Sequence, residues 1–385
     1  MLTLLQNARI FAPEPLGVCD LLVAGSRIAA VAPKIEPAPQ TWPVEALDLE
    51  GQWLIPGLID LHAHLTGGGG EGGAHTRVPP VSLSTLTAAG VTTVVGLLGT
   101  DATTRTLVDL LATARGLEHH GITALCYTGS YEVPPPTLTG SVRGDIVHVD
   151  RMVAVGEVAI SDHRGSQPSY EELVRLAADA HVAGLMTGKA GLLHLHLGDG
   201  PRGLELVRRA SQETELPSRV WHPTHVNRNP SLWEEAKELL TQGGYADLTA
   251  FPEDDPGLSA ARCLAEVHSH QLPIDHLTLS SDAGGCLPTF DSTGKLLEMG
   301  VGSPTGLLDT LRQALTFGLP LEGALATCTR NAAELFRLST KGRVRVGADA
   351  DLVVVTPELR VVHTMAAGRF LVREGKAVVR GSFEV

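Results

Sequence analysis

The sequence lacks the patterns of several large classes of protein. No stretch of about 18 uncharged apolar residues occurs in its 385 residues, so we expect no membrane-spanning helix. The five cysteines are scattered and form no C-x-x-C pair, which indicates reduced thiols rather than a disulfide framework. The opening MLTLLQNARIF lacks the basic segment of a secretory signal, and Gln6 and Asn7 interrupt its apolar run. We therefore expect a cytoplasmic protein.

An excess of basic residues is absent as well. The chain has 30 Lys and Arg against 43 Asp and Glu, a formal net charge of -13. Nucleic acids and anionic membranes require a basic face, so we expect neither as a partner. The motifs G-x-S-x-G and H-E-x-x-H are also missing, which argues against a serine hydrolase and a zincin protease. A small charged substrate stays compatible with the composition, because a local site can be positive on an acidic protein.

Two β-rich segments flank a long middle section. Residues 1–55 contain LLQNARIFA and CDLLVAGSRIAAVAP, and residues 344–385 contain DADLVVVTP and VVHTMAAGRFLVREGKAVVRG. Short apolar runs separated by glycine, proline and asparagine are typical of strands and turns. We predict that both chain ends together form one small β-sandwich domain, and that residues 56–343 form the catalytic domain.

The middle section alternates strand-like runs with amphipathic segments such as SYEELVRLAADAHVAG. Eight strand candidates follow one another in the order LIDLHAHL, GVTTVVGLL, GITALCYTG, MVAVGEVAI, LLHLHLGDG, SRVWHPTHV, YADLTAF and HLTLSSD. Alternating β and α units of this number predict an α/β fold, a parallel (β/α)8 TIM barrel.

Metal-type ligands stand at the ends of these strand candidates, where a barrel of this kind carries its active site. Residues two apart on a strand point to the same side, so an H-x-H pair can bind one metal ion. A second H-x-H, His268 and His270, lies in a helix-like stretch, and one such pair alone is weak evidence. The conjunction is stronger, because the candidate ligands come from five strands: His62, His64, Glu157, His194, His196, His222, His225 and Asp282. Nitrogen and oxygen donors without thiolate suit Zn²⁺ or a similar divalent ion.

The charges of these residues favour two metal ions. Asp282, Glu157 and a bridging hydroxide would nearly balance two divalent cations, which can ionise a bound water near neutral pH. Asp282 can then accept the proton of the nucleophile and pass it to the leaving amine. Its alternative role is to cap a helix that follows the eighth strand.

The order of these residues resembles the amidohydrolase superfamily, as do the bordering segments PGLIDLHAHL and GRVRVGADADLVVV. Within it, almost the whole chain resembles the isoaspartyl dipeptidase (β-aspartyl peptidase) family. The most specific segments are GGGGEGG (67–73), SYEVPPPTLTGSVRGDI (130–146), AISDHRGSQP (159–168), GKAGLLHLHLGDG (188–200) and PTHVNRNP (223–230). The resemblance implies a zinc-dependent hydrolase with two metal ions, a β-aspartyl dipeptide substrate cleaved by a metal-bound hydroxide, and a cytoplasmic homo-oligomer.

The resemblance also implies a role for each site residue. It assigns metal binding to His62, His64, Glu157, His196, His225 and Asp282, with Asp282 as the proton acceptor. Tyr131 would stabilise the oxyanion at the scissile carbonyl. The substrate-binding residues would be Glu71 for the ammonium group, Arg164 and Arg228 for the carboxylates, and Thr100 and Cys286. These charges suit a dipeptide with one ammonium and two carboxylates, because arginine binds a carboxylate through two hydrogen bonds.

Two positions depart from the family pattern. The family usually has a carboxylated lysine where Glu157 stands, and glutamate reaches about 3 Å less far. Glu157 would either bridge two metals that lie closer to its strand or bind only one. Cys286 replaces a serine and is the poorer hydrogen-bonding group, so substrate preference is expected to shift.

Two other functions are compatible with parts of the pattern. An amidohydrolase acting on a cyclic amide, such as a hydantoin or dihydropyrimidine, would use the same metals but fewer charged anchors. A non-catalytic barrel scaffold would not require every ligand position to be filled.

Overall fold

The computed structural model describes residues 2–36, 43–251, 258–290 and 296–384. In chain order its strands are β1 (Leu2–Phe11), β2 (Pro15–Ala24), β3 (Arg27–Ala32), β4 (Val44–Asp48), β5 (Trp53–Pro56), β6 (Leu58–Ala63), β7 (Val91–Gly96), β8 (Thr123–Thr128), β9 (Met152–Ile160), β10 (Leu193–Leu197), β11 (Trp221–Thr224), β12 (Ala246–Thr249), β13 (Leu277–Ser280), β14 (Cys286–Phe290), β15 (Leu296–Val301), β16 (Leu352–Val355), β17 (Val361–Ala366), β18 (Arg369–Arg373) and β19 (Lys376–Ala377). The helices are α1 (Leu83–Ala88), α2 (Leu107–His119), α3 (Val142–His148), α4 (Tyr170–Thr187), α5 (Glu205–Glu213), α6 (Pro230–Thr241), α7 (Ala260–Ser269), α8 (Gly306–Thr316), α9 (Leu321–Thr327) and α10 (Arg330–Leu335).

Strands β6 to β13 form the predicted barrel. Strands β6 to β11 pair in parallel in one sheet, and β12 pairs in parallel with β13. A parallel bridge between Ala63 and Ala283 closes the ring between β6 and the end of β13. On the other side, the Thr224 hydroxyl donates to Asp247 at 2.7 Å and joins β11 to β12. The expectation of a (β/α)8 barrel is confirmed.

Both chain ends contribute to one separate sheet. Its strand order is β19-β18-β17-β16-β5-β1-β2-β3, with β4 paired to β1. Ile28 on β3 and Phe370 on β18 belong to one apolar cluster, although their strands are far apart in this order. The sheet must therefore curl on itself. Alternate residues of β16 face two ways: Val354 packs in this cluster, whereas Val353 packs in the barrel core. The small domain is therefore seated on the barrel.

Local sequence signals explain where the barrel helices begin and end. Helix α4 begins at a capping box in which Ser169 and Glu172 satisfy each other's backbone N–H groups, and it ends at Gly188 in the left-handed region. Helix α6 begins after Asn229, whose side chain accepts from the N–H of Leu232. Because the barrel strands pair in parallel, their C-terminal ends all lie at the same rim of the barrel. None of the described helices combines the length and apolar character needed to cross a lipid bilayer.

Candidate metal centre

Six side chains converge at the C-terminal rim of the barrel strands. Glu157 lies within β9, and the others stand at or just after the ends of β6, β10, β11 and β13. All of them are buried, at 7% relative exposure or less: His62, His64, Glu157, His196, His225 and Asp282. Asp282 is followed by a glycine turn and then β14 rather than by a helix, so there is no helix start at that point for its carboxylate to cap.

The Glu157 carboxylate lies between two groups of histidines. Its Oε1 is 3.4 Å from Nε2 of His64. Its Oε2 is 3.5 Å from Nε2 of His62, 3.1 Å from Nδ1 of His196 and 3.6 Å from Nε2 of His225. The two oxygens therefore face different sets of ligands, and glutamate is long enough to reach both.

The ligand atoms include buried polar atoms that the protein itself does not satisfy. Among the described residues, Nε2 of His62, Oε1 of Glu157 and Oδ1 of Asp282 have no hydrogen-bond partner. Oδ1 of Asp282 lies 3.4 Å from Nε2 of His62 and 3.2 Å from Nε2 of His64. Leaving such atoms buried without partners is costly, and a divalent cation would satisfy all of them at once. The donor set thus fits the metal that the sequence predicts.

The electrostatics keep both carboxylates ionised. Burial alone would raise the pKa of Glu157, but the charge of His62 and the contacts with His196 and His225 hold it well below its ordinary value. Burial likewise opposes ionisation of Asp282, and contacts with His62 and His64 lower its pKa in the same way. The site is therefore a negatively charged pocket lined by imidazoles, which attracts a cation.

Unusual backbone conformations aim two of the ligands. His225 and Asp282 have φ of 61° and 52°, in the left-handed region that few residues other than glycine and asparagine adopt. Gly285 makes room for the Asp282 carboxylate, because a Cβ on Gly285 would lie 2.2 Å from Oδ1. Gly99 makes room for His64, whose Cε1 would lie 2.7 Å from a Cβ at that position.

Three of the candidate ligand histidines have partners for their other ring nitrogen. Nδ1 of His225 lies 2.7 Å from the Thr249 hydroxyl, and Nε2 of His196 lies 3.0 Å from Oδ2 of Asp162. Nδ1 of His62 lies 2.9 Å from Nε2 of His194. Such contacts fix the tautomer and orientation of a metal-binding imidazole.

Sequence reasoning missed Asp162 and the histidine partner of His62. Asp162 follows β9 by two residues, and nothing in its local pattern separates it from a surface aspartate. The sequence makes His194 a candidate metal ligand beside His196, but Nε2 of His194 contacts the ring of His62 instead of facing Glu157 and Asp282.

Tyr131, Arg164 and Glu71 lie together at one edge of the centre. The Tyr131 hydroxyl is 2.8 Å from Nδ1 of His196, and burial, reinforced by the charge of Glu157, raises its pKa well above 10, so it remains a donor. Arg164 binds both oxygens of Asp162, at 3.1 and 2.7 Å, and its Nη1 is 3.7 Å from Oε1 of Glu71. These side chains place a hydroxyl, a cation and an anion beside the ligands.

The other predicted substrate-binding residues lie on neighbouring loops. Nε of Arg228 donates to the carbonyl of Leu197 at 2.8 Å, and its Nη1 lies 4.0 Å from Oδ2 of Asp199. Cys286 is partly buried beside the glycine loop, where burial and the nearby Glu71 charge raise the pKa of its thiol. Thr100 is partly exposed in the loop after β7. Their roles toward a substrate stay predictions.

Comparison with known proteins identifies the family. The Amidohydrolase family profile matches residues 53–371. A beta-aspartyl dipeptidase from Fervidobacterium islandicum AW-1, solved with beta-Asp-Leu dipeptide, is 41% identical with a TM-score of 0.93, and the match covers 98% of this chain and 97% of that one. A second structure of a beta-aspartyl dipeptidase from that organism is 40% identical with a TM-score of 0.91, covering 98% of each chain. An imidazolonepropionase of Pseudomonas aeruginosa is 36% identical over 86% of both sequences. The cluster of histidines and carboxylates lies at the C-terminal ends of the barrel strands, as the sequence predicts, and the chain belongs to the amidohydrolase family.

Proposed function

We propose that this protein hydrolyses the isopeptide bond of β-aspartyl dipeptides. The observation that carries the proposal is the arrangement of Arg164 and Glu71, 3.7 Å apart, at the edge of the metal-type ligand set. Such a dipeptide carries an ammonium group and two carboxylates around the scissile amide, so it needs an anion and cations close to the reacting carbonyl. The likeness to dipeptidases at 40–41% identity supports the same substrate class.

We further propose that the centre holds two divalent ions, and zinc in particular. The Glu157 carboxylate lies within 3.6 Å of His62 and His64 and also of His196 and His225, which supports a bridging role. The nitrogen and oxygen donors suit zinc, which tolerates low coordination numbers. When bound, the metal pair would polarise the carbonyl and lower the pKa of a water molecule.

The chain's own groups then perform the proton transfers and hold the substrate. Asp282 takes the proton of the attacking water and delivers it to the nitrogen of the leaving amino acid. Tyr131 donates its hydroxyl hydrogen to the carbonyl oxygen as negative charge develops there. Glu71 pairs with the ammonium group, and Arg164 and Arg228 with the carboxylates. Thr100 and Cys286 border the bound substrate.

The proposal predicts strong preference for the isopeptide bond. Metal-loaded protein is expected to cleave β-Asp-Leu at least about 100-fold faster, in kcat/KM, than α-Asp-Leu, because the misplaced carboxylate leaves a charged anchor unpaired. A coupled assay for released leucine measures both rates. Equal cleavage of the two dipeptides would overturn the substrate assignment.

The alternatives make different predictions in the same assay. A hydantoinase-like enzyme would open hydantoin or dihydrouracil and leave β-Asp-Leu intact. The likeness to a D-hydantoinase structure, at 17% identity, shows a shared fold and does not indicate a shared substrate. A non-catalytic scaffold would turn over none of these compounds. The buried ligand atoms without hydrogen-bond partners argue against a scaffold, since a bound cation would offset the cost of burying them.

Location and assembly complete the proposal. All five cysteines are free thiols, which supports a reducing compartment and hence the cytoplasm. Homo-oligomerisation is proposed from the family resemblance, and light scattering on the purified protein measures it.

A further inference from the structure

A chain of buried hydrogen bonds runs from the metal centre into the barrel. Beyond the 2.9 Å contact of His62 with His194, Nδ1 of His194 lies 3.0 Å from Nδ1 of His222. Nε2 of His222 lies 3.0 Å from the hydroxyl of Thr278, which in turn donates to Oδ1 of Asp247. We call this set of five residues the His–Thr–Asp chain. Each of its members is at most 1% exposed, so water does not complete or interrupt it.

The Asp247 end fixes the direction of every hydrogen bond. The Asp247 carboxylate is an acceptor for the hydroxyls of Thr224, Thr278 and Ser280. Because the Thr278 hydrogen is directed to Asp247, its oxygen must accept from Nε2 of His222. A neutral imidazole has one donor and one acceptor nitrogen, so Nδ1 of His222 must accept.

The same reasoning extends to the metal ligand. Since Nδ1 of His222 accepts, Nδ1 of His194 donates and its Nε2 accepts from Nδ1–H of His62. In the neutral form of His62 that binds a metal, the remaining nitrogen, Nε2, then presents a lone pair toward Glu157 and Asp282. This is the atom that lacks a hydrogen-bond partner among the described residues. The tautomer required for metal binding therefore follows from hydrogen bonds that begin at Asp247.

Packing and burial fix the rings along the His–Thr–Asp chain. The ring of Tyr127 stacks on His194 at 4.8 Å with an interplanar angle of 12°, and its hydroxyl donates to the carbonyl of Leu61. Phe336 packs edge-on against Tyr127 and near His222. His194 and His222 are both fully buried. His194 and His222 therefore each make one donor and one acceptor contact within this packing.

We propose that His194 and His222 are positioning residues that, anchored through Thr278 to Asp247, hold His62 in the tautomer and orientation that bind metal. The proposal rests on the metal-dependent function proposed above, but it concerns binding of the ion rather than the choice of substrate. Nδ1 of His225 has the Thr249 hydroxyl as its partner, and Nε2 of His196 lies directly against Asp162, whereas His62 depends on a sequence of four groups. Carboxylate–histidine–metal arrangements are usually shorter, and here two imidazoles and a hydroxyl extend one across the barrel interior.

The first test compares His194→Leu with His194→Gln by titrating metal-free protein with Co²⁺. Leucine gives Nδ1–H of His62 no acceptor, so we expect one of the binding steps to weaken by about 10–100-fold and the visible spectrum of the bound Co²⁺ to change. Glutamine offers an amide oxygen to His62 and an N–H to His222, and should recover most of the affinity and the wild-type spectrum. Equal affinity and identical spectra for the wild-type, His194→Leu and His194→Gln proteins would overturn the proposal.

A second pair keeps the test decisive where His194→Leu fails to fold. Thr278→Val removes one hydroxyl without changing the shape of the side chain, and we expect it to weaken the same Co²⁺ binding step. The matched control is Thr93→Val, which removes another buried hydroxyl, one with no partner in the described part of the chain. Thr93→Val should bind Co²⁺ like the wild-type protein. An equal loss in both valine variants would mean a general packing effect and would refute the positioning role.

These readouts separate this proposal from the proposed function. Co²⁺ binding and its spectrum need no substrate, so a protein that leaves β-Asp-Leu uncleaved still reports on the His–Thr–Asp chain. Conversely, the dipeptide assay on the wild-type protein does not depend on His194.

Discussion

Replacing Asp282 with asparagine is expected to lower kcat for β-Asp-Leu by at least about 10³-fold in the metal-loaded protein, since general acid–base groups commonly contribute 10²–10⁴-fold. Asparagine cannot accept the proton of the attacking water, and it removes one negative charge from the ligand set. The fold should survive, because asparagine tolerates the left-handed φ of 52° at this position better than most residues. The Gly285 contact leaves the same room for an amide as for a carboxylate.

The control for this variant is Asp275→Asn, an exposed aspartate paired with Arg330 outside the centre. It should retain wild-type kcat and metal content. Measuring metal content beside the rate separates lost proton transfer from lost binding. An Asp282→Asn protein that is fully loaded and nearly as active as the wild type would contradict the acid–base role.

Replacing Glu157 with lysine tests the departure from the family pattern and should abolish metal binding. The Glu157 oxygens already lie 3.1 to 3.6 Å from four imidazole nitrogens, so a carbamylated lysine, about 3 Å longer, would overrun the ligand set. The backbone at Gly99 lies next to Oε1 of Glu157, because a Cβ built on Gly99 would be 3.3 Å from that oxygen. Little space is therefore left there for a longer side chain. We expect loss of both metal ions, measured by inductively coupled plasma mass spectrometry, together with loss of activity.

Glu157→Gln is the conservative partner of that variant, and it keeps the size while removing the charge. It should bind less metal than the wild type and fold normally, as circular dichroism would report. Full metal content and full activity of Glu157→Lys in bicarbonate buffer would show instead that a carbamate replaces glutamate freely, and that the short reach has no structural significance.

The sequence predicted the barrel and the ligand set because both depend on periodic, local patterns. Strand candidates with His62, Glu157 or Asp282 near their C-terminal ends lead to one rim in any parallel barrel. The choice of six ligands among the eight candidates came from the family resemblance. The two β-rich ends were readable in the same way, and their pairing in one sheet follows from where the barrel leaves its termini.

Other parts of the centre depend on contacts that no local pattern records. Whether Glu157 reaches both groups of histidines is a question of strand position measured in ångströms, which composition and spacing do not give. Asp162 contacts the ring of His196 directly. Asp247 is connected to His62 through His194, His222 and Thr278, which lie on three other strands. His222 resembled a further ligand from its place near the end of β11, yet its ring faces His194 and Thr278 instead.

The central claim is that six buried side chains hold two divalent cations on either side of Glu157. Anomalous diffraction from zinc-loaded crystals, recorded above the zinc absorption edge, tests it most directly. We predict two peaks per chain, one among His62, His64 and Asp282 and one between His196 and His225, with Glu157 in contact with both. A single peak, or zinc bound away from these residues, would contradict the account.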